Sequence, residues 1–190
     1  NVIPIFIFTP EQIDPSKNKF FSNNSVQFMI ESLLDLSNAI SKKDGTLYFF
    51  KGDTINILKK INEKLSIKSI GYNIDYTPYA QKRKGKIEKW SKDNNITLYQ
   101  KEDYALYDFL DGQTLKKDKK PYLVYTPFMK YVSGSLKVRP VNPFTQFQFQ
   151  KNSKLDSFSF KESDLKQFYS VNENINVKGG RSQGNLILEK

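Results

Sequence analysis

The strongest constraint on the fold lies in the first hundred residues, where short apolar runs alternate with amphipathic stretches. Val2-Ile-Pro-Ile-Phe-Ile-Phe8 is continuously apolar and closes on Thr9-Pro10. A run of that kind is a strand covered on both faces, as in a parallel sheet. A polar loop follows from Glu11 to Asn24. Then Val26, Met29, Ile30, Leu33, Leu36 and Ile40 recur at three- and four-residue spacing, which predicts a helix ending near Gly45. Thr46-Leu-Tyr-Phe-Phe50 is the next strand. Gly52-Asp53 turns the chain, and Asp53 can cap a helix carrying Ile57, Leu58, Ile61 and Leu65. Ser66 to Tyr72 is a third strand. Thr77-Pro78 places a capping side chain before a proline at the first helical position; that helix runs to about Asn94 with Ile87 and Trp90 inward. Ile96 to Tyr99 is a short fourth strand. This alternation predicts an α/β fold: an open, mostly parallel sheet with helices on both faces and right-handed connections between neighbouring strands.

The second half changes character. Residues 111–121 are rich in Lys, Asp and Gly and read as a solvated loop, and Pro127 to Gly134 as one short helix. Residues 136–178 read as a long linker lying on the domain, with a short strand in Phe144-Thr-Gln-Phe-Gln-Phe149 and a short helix from Glu162 to Phe168. The expected division is therefore an α/β domain over 1–135 and a connecting segment over 136–190. No internal repeat is visible.

Composition narrows the chemistry. The chain has no cysteine and no histidine, which removes disulfides, thiolate metal sites and Cys–His or Ser–His–Asp catalysis. A carboxylate Mg²⁺ site stays open in principle, but no paired acidic motif points to one. No apolar run approaches the ~20 residues of a membrane-spanning helix. The start has neither the basic head nor the cleavage site of a signal peptide, so the expectation is an intracellular protein away from the membrane. The net charge of +10 attracts nucleic acid or an anionic surface. Most of the cations are lysines, with Arg only at 83, 139 and 181, whereas phosphate clamps and base readout favour Arg. Solvated surface lysines are the plainer reading.

In open α/β sheets, ligands sit beyond the carboxyl ends of the strands. Those ends here are Thr9-Pro10-Glu11, Lys51-Gly52-Asp53, Asn73-Ile-Asp75-Tyr76 and Gln100-Lys-Glu102-Asp103. Glu11, Asp53, Asp75, Tyr76 and Glu102 are the candidate cofactor-binding residues: carboxylates and a ring suited to a planar heterocycle with hydrogen-bonding edges. No Gly-x-Gly-x-x-Gly or Walker loop is present, so dinucleotide or triphosphate binding of the usual kinds is unsupported. No catalytic residue and no metal ligand is assigned.

Six segments, in order, resemble the DNA photolyase and cryptochrome family: Ile5-Phe-Ile-Phe-Thr-Pro-Glu11; Val26-Gln-Phe-Met-Ile-Glu-Ser-Leu33; Leu47-Tyr-Phe-Phe-Lys-Gly-Asp53; Asn73-Ile-Asp-Tyr-Thr-Pro-Tyr-Ala80 with Arg83, similar to an Asp-Tyr-x-Pro-Tyr-Ala-x-x-Arg signature; Pro121-Tyr-Leu-Val-Tyr-Thr-Pro-Phe128; and Gly179-Gly-Arg181. The resemblance implies the family's Rossmann-like amino-terminal domain, whose five strands run in the order 3-2-1-4-5. This sequence opens at what corresponds to the second strand, so the family's central first strand is missing from it. Either its beginning lies outside these residues, another polypeptide supplies that strand, or strands 2 and 4 meet directly. The helical domain that binds FAD, and its tryptophan electron path, have no counterpart here.

The resemblance implies a truncated photolyase-like protein whose surviving part is a light-harvesting antenna domain, related to light-dependent repair of pyrimidine dimers. The implied cofactor is an antenna chromophore (a folate, a deazaflavin or a flavin), with no catalytic FAD on this chain alone. The flavin performs the electron transfer in such enzymes, so these residues are not expected to split a dimer unaided. The implied partner is a separate polypeptide carrying the FAD domain, with DNA met only indirectly. The competing reading is a non-enzymatic interaction module or a decaying remnant; an adenine-nucleotide enzyme on a similar frame is disfavoured by the missing histidines and phosphate loop.

Each candidate has a plainer structural role. Glu102, which the resemblance places at a pterin edge, reads otherwise as a solvated loop carboxylate. Asp53 reads as a helix N-cap. Asp75 and Tyr76 read as a capping turn with the tyrosine packed beneath it. Arg83 could pair with Asp75 or with a chromophore anion, and a structural ion pair is the simpler outcome. Trp90 reads as core rather than electron relay, and Tyr122 to Phe128 as a domain-interface segment.

Overall fold

The computed structural model describes residues 1–103, 105–107, 112–138, 140 and 148–189. Among them the elements run β1 (Ile5–Phe8), α1 (Pro10–Ile13), α2 (Asn23–Ser41), β2 (Tyr48–Lys51), α3 (Thr54–Leu65), β3 (Ser69–Asn73), α4 (Pro78–Asp93), β4 (Thr97–Lys101), α5 (Tyr125–Ser135), α6 (Ser153–Asp156), a 3-10 helix (Glu162–Phe168) and α7 (Arg181–Leu188). The chain forms two compact units, one from 1–66 with 145–190 and one from 67–144.

In the first unit β1 and β2 pair in parallel, with Ile5 opposite Tyr48 and Phe8 opposite Lys51. Tyr48, Phe49 and Phe50 are all buried, so β2 is covered on both faces, as its uninterrupted apolar run requires. The stretch expected as polar loop after β1 contains the short helix α1. Pro10 opens it, Thr9 N–H donates to Gln12 Oε1 at 3.0 Å, and Ile13 enters the core. Helix α2 begins three residues earlier than the apolar periodicity suggests, capped by Ser22. Its buried stripe is Val26, Ile30, Leu33, Ser37 and Ile40, while Leu36 is 48% exposed. Leu36 was expected inward; a straight 3.6-residue helix carries the stripe to Ser37 instead. The core gathers Phe8, Val26, Ile30, Leu33, Ile40 and Phe49 with Leu165 and Phe168 from the carboxy-terminal stretch. Of the strand expected in 144–149, only Gln148 and Phe149 are described: Val2 N–H donates to the Gln148 carbonyl at 2.8 Å, and the 3-10 helix spans the expected 162–168.

In the second unit β3 and β4 pair in parallel, Ser69 opposite Thr97 and Asn73 opposite Lys101. Both strands alternate exposed and half-buried residues, the pattern of a sheet wetted on one face. Helix α4 keeps its cap: Thr77 Oγ1 accepts from Ala80 N–H at 3.3 Å and Pro78 takes the first helical position. Ala80, Ile87, Trp90, Ile96 and Val132 are buried, so Trp90 is core. Among the described residues the four strands form two two-stranded sheets, β1-β2 and β3-β4, one in each unit. Strands β2, β3 and β4 are each displaced by one to three residues from their sequence-based bounds, the usual uncertainty of element ends.

Candidate functional site

Parallel pairing puts the carboxyl ends of both strands of each pair on the same side, so the candidates fall into two groups, one per unit. In the first unit, Gly52 N–H donates to the Phe8 carbonyl at 3.0 Å, which sets the turn after β2 beside the exit of β1. Gly52 has φ +144°, a conformation that side chains rarely adopt. Asp53 follows it and caps α3, accepting from Ile55 N–H at 3.0 Å and Asn56 N–H at 3.1 Å. Glu11 is exposed in the first turn of α1. Asp53 thus serves as the N-cap of α3.

In the second unit, Ile74 N–H donates to the Lys101 carbonyl at 2.8 Å, continuing the ladder one step beyond the strands. This draws Asp75, Tyr76 and Glu102 to one strand end. Asp75 forms a capping turn: its Oδ1 accepts from Thr77 N–H at 2.9 Å and its Oδ2 from the Thr77 hydroxyl at 3.2 Å. Tyr76 does not pack beneath that turn. It is 46% exposed.

Glu102 corrects its simpler reading. The carboxylate expected in a solvated loop is only 4% exposed, and its Oε1 accepts from Ala105 N–H at 3.0 Å. Burying an acid is costly unless hydrogen bonds compensate, so a carboxylate held here is a placed group and not an incidental one. A buried acceptor at a strand end fits the N–H edge of a planar heterocycle, and of the five candidates Glu102 alone combines that chemistry with burial.

Arg83 has no ion pair with Asp75 among the described residues. Its guanidinium lies over the Tyr79 ring at 5.4 Å. A polar cluster that sequence reading missed sits on the half-buried face of β3 and β4: Gln100 Nε2 donates to the Tyr72 hydroxyl and, at 3.1 Å, to Glu88 Oε1 of α4. Burial, opposed by the Gln100 bond, holds the Tyr72 hydroxyl above its usual range. The signal for it was register: Tyr72 and Gln100 lie opposite one another, a relation invisible until the strands are paired. Among the described residues no group of three or more Asp or Glu is arranged to hold a metal, and no helix is long and apolar enough to cross a membrane.

In the segment Tyr122 to Phe128, expected at a domain interface, Tyr122 packs on aromatics of the same stretch and of helix α5. Tyr122 stacks on Tyr131 with ring centres 5.6 Å apart and meets Phe128 edge-on. Leu123, Val124 and Tyr125 stay exposed, Leu123 to 91%.

Paired parallel strands alternating with helices define an α/β domain of Rossmann-like type. The DNA photolyase family matches residues 1–147, and the chain belongs to that family, as its amino-terminal α/β domain. Cryptochrome-1 of Aedes aegypti is 27% identical over 167 residues, 86% of this chain and 29% of the relative. The (6-4) DNA photolyase of Arabidopsis thaliana is 23% identical over 67% of this chain and 24% of its own length. Among solved structures, the archaeal photolyase of Sulfolobus tokodaii, described with two FAD molecules and the implication of a novel light-harvesting cofactor, superposes with a TM-score of 0.80. It is 28% identical, and the match covers all of this chain and 40% of the photolyase. The chain therefore spans well under half the length of these relatives.

Proposed function

We propose that these residues form the light-harvesting module of a photolyase-like protein. In this reading the second unit holds an antenna chromophore (a folate, a deazaflavin or a flavin) against Glu102, with Asp75 and Tyr76 bordering it. The burial of Glu102 at a strand end is the observation that carries the proposal. The two FAD molecules of the archaeal relative favour a flavin among the three. The chromophore supplies the absorption of light; the protein's part is to accept the ring N–H at the Glu102 carboxylate, to orient the ring and to keep water from it.

Electron transfer to a pyrimidine dimer belongs, in this proposal, to a FAD-bearing helical domain that partners these residues, and recognition of the lesion itself, inside the cell, belongs to that domain. The exposed Leu123, Val124 and Tyr125 support such a partner, since apolar side chains grouped at a surface favour contact with another protein.

The test is absorption spectroscopy of the purified chain, alone and after incubation with a folate, a deazaflavin and FAD. A near-ultraviolet or blue band that stays with the protein through gel filtration is the expected result, weakened at least about tenfold in affinity by Glu102→Gln, the order of one lost charge-assisted hydrogen bond. A chain that retains none of the three, or a Glu102→Gln variant that retains its chromophore undiminished, overturns the reading.

A further inference from the structure

Helix α4 carries chemistry that the chromophore reading leaves unused. Segment 67–144 holds +7 of the chain's formal +10, from 15 Lys and Arg against 8 Asp and Glu. Much of this sits on α4, whose sequence PYAQKRKGKIEKWSKD has six cations and two acids. The helix is anchored by its inner side, where Ala80, Ile87, Trp90 and Ser91 are buried. A 3.6-residue turn then puts Lys82, Lys86, Lys89 and Lys92 on the outer side, and all four are exposed. An ion pair of this helix, Lys84 to Glu88 at 3.7 Å, lies on its flank. Lys82, Lys89 and Lys92 have no ion-pair partner among the described residues.

We propose that the outer face of α4 binds the phosphate backbone of nucleic acid without reading its sequence. The four lysines span about 15 Å of helix, and a duplex presents one charge per about 1.7 Å of its axis. Several phosphates therefore fall within reach of flexible side chains. Lysine is a hydrated point charge that neutralises phosphate but does not fork onto base edges as arginine does. The one arginine of α4 is engaged with Tyr79, so the face tracks a backbone and leaves bases unread. An anionic membrane is the poorer partner: a helix lying on lipid sinks apolar side chains into it, whereas the apolar residues of α4 point inward.

The site is independent of any chromophore, so its test is made on the full 190-residue chain in the dark with no chromophore added. Fluorescence anisotropy of a labelled duplex of mixed sequence is followed from about 50 to about 200 mM salt. The expected result is binding that weakens steeply with salt and is indifferent to sequence. The variant Lys82→Gln/Lys86→Gln/Lys89→Gln/Lys92→Gln should lose affinity and lower the slope of log K against log salt by about 3 to 4, near 0.9 per phosphate contact. The variant Lys59→Gln/Lys60→Gln/Lys151→Gln/Lys166→Gln removes equal charge from exposed positions of the first unit and should change that slope by less than about 1. Acetylation of the native chain is a second readout, with Lys82, Lys86, Lys89 and Lys92 protected by bound duplex. Equal losses in both variants, no protection of α4, no duplex binding, or binding only to phosphatidylserine vesicles would overturn the proposal.

Discussion

Tyr48 ties two distant stretches of the first unit together through one hydroxyl. Its OH accepts from Asn152 N–H at 2.7 Å and donates to the Asn152 carbonyl at 3.2 Å, while the side chain is buried in β2. Tyr48→Phe keeps the ring and its packing but strips both partners from a half-buried backbone. An unsatisfied buried polar group costs about 1–3 kcal/mol. The expected outcome of equilibrium urea unfolding is a loss of stability of that size with an unchanged denaturant slope, whereas a value near zero would mean that water replaces the hydroxyl. At this scale the legible features were the local ones. Asp53 precedes its helix by one residue and Thr77 stands beside Pro78, so their capping could be read directly. The burial of Glu102 could not: the acid looks like any loop carboxylate until the 105 turn folds back and donates to it.

At the scale of elements, α2 has a second face that hydrophobic periodicity does not reveal. Asn23, Gln27, Glu31 and Asp35 stand four residues apart on one ridge, and each reads the backbone of a segment about 147 residues away. Asn23 Oδ1 accepts from Ser170 N–H at 2.7 Å, Gln27 Oε1 from Asn172 N–H at 2.8 Å, Glu31 Oε2 from Gly179 N–H at 2.7 Å and Asp35 Oδ2 from Ser182 N–H at 3.2 Å. Gly179 lies so close to the Phe28 carbonyl and Ser32 that a Cβ could not fit. The N-cap of α7 is Gly180, which has no side chain to offer, so Asp35 supplies the cap from another helix. A polar ladder of this kind is silent in the sequence, because polar residues on a helix ordinarily mean solvent.

The Ser182 hydroxyl and then the Ser182 N–H, donating to Asp35, hold its carboxyl below its ordinary value of 3.8. A carboxyl depressed in the folded state stabilises it above the unfolded value, and that contribution is lost as pH falls through the folded one. The attachment of α7 should therefore be constant from neutral pH to about 5 and weaken below about 3.8, the ordinary value of such a carboxyl. Hydrogen-exchange mass spectrometry checks this. Protection of amides 182–189 should fall in acid, and Asp35→Ala should lower it at neutral pH by about tenfold while leaving α3 unaffected. Equal protection in wild type and variant would remove Asp35 as the cap.

For the whole molecule, alternation of strand and helix over the first hundred residues was enough to read the α/β class, because each element is local and its period visible. How the chain closes on itself was not, since closure depends on a few apolar side chains scattered through a polar stretch. Leu155, Leu165 and Phe168 are buried; Leu165 and Phe168 join the core of Phe8 and Phe49, and the Phe8 and Phe168 ring centres stand 5.0 Å apart. Burying each such side chain is worth about 1.5–3 kcal/mol, so the three together contribute about 5–9 kcal/mol, a large part of the about 5–15 kcal/mol that stabilises an ordinary domain. The first unit, built from both ends of the chain, should then not survive removal of residues 145–190. In a chain ending at Phe144, amide protection across β1 and β2 should vanish, while the emission of Trp90, buried in the unit formed by 67–144, stays that of a buried indole. Persistent protection of Phe49 and Phe50 in that chain would mean that 1–66 holds a core of its own, and that the carboxy-terminal stretch only covers it.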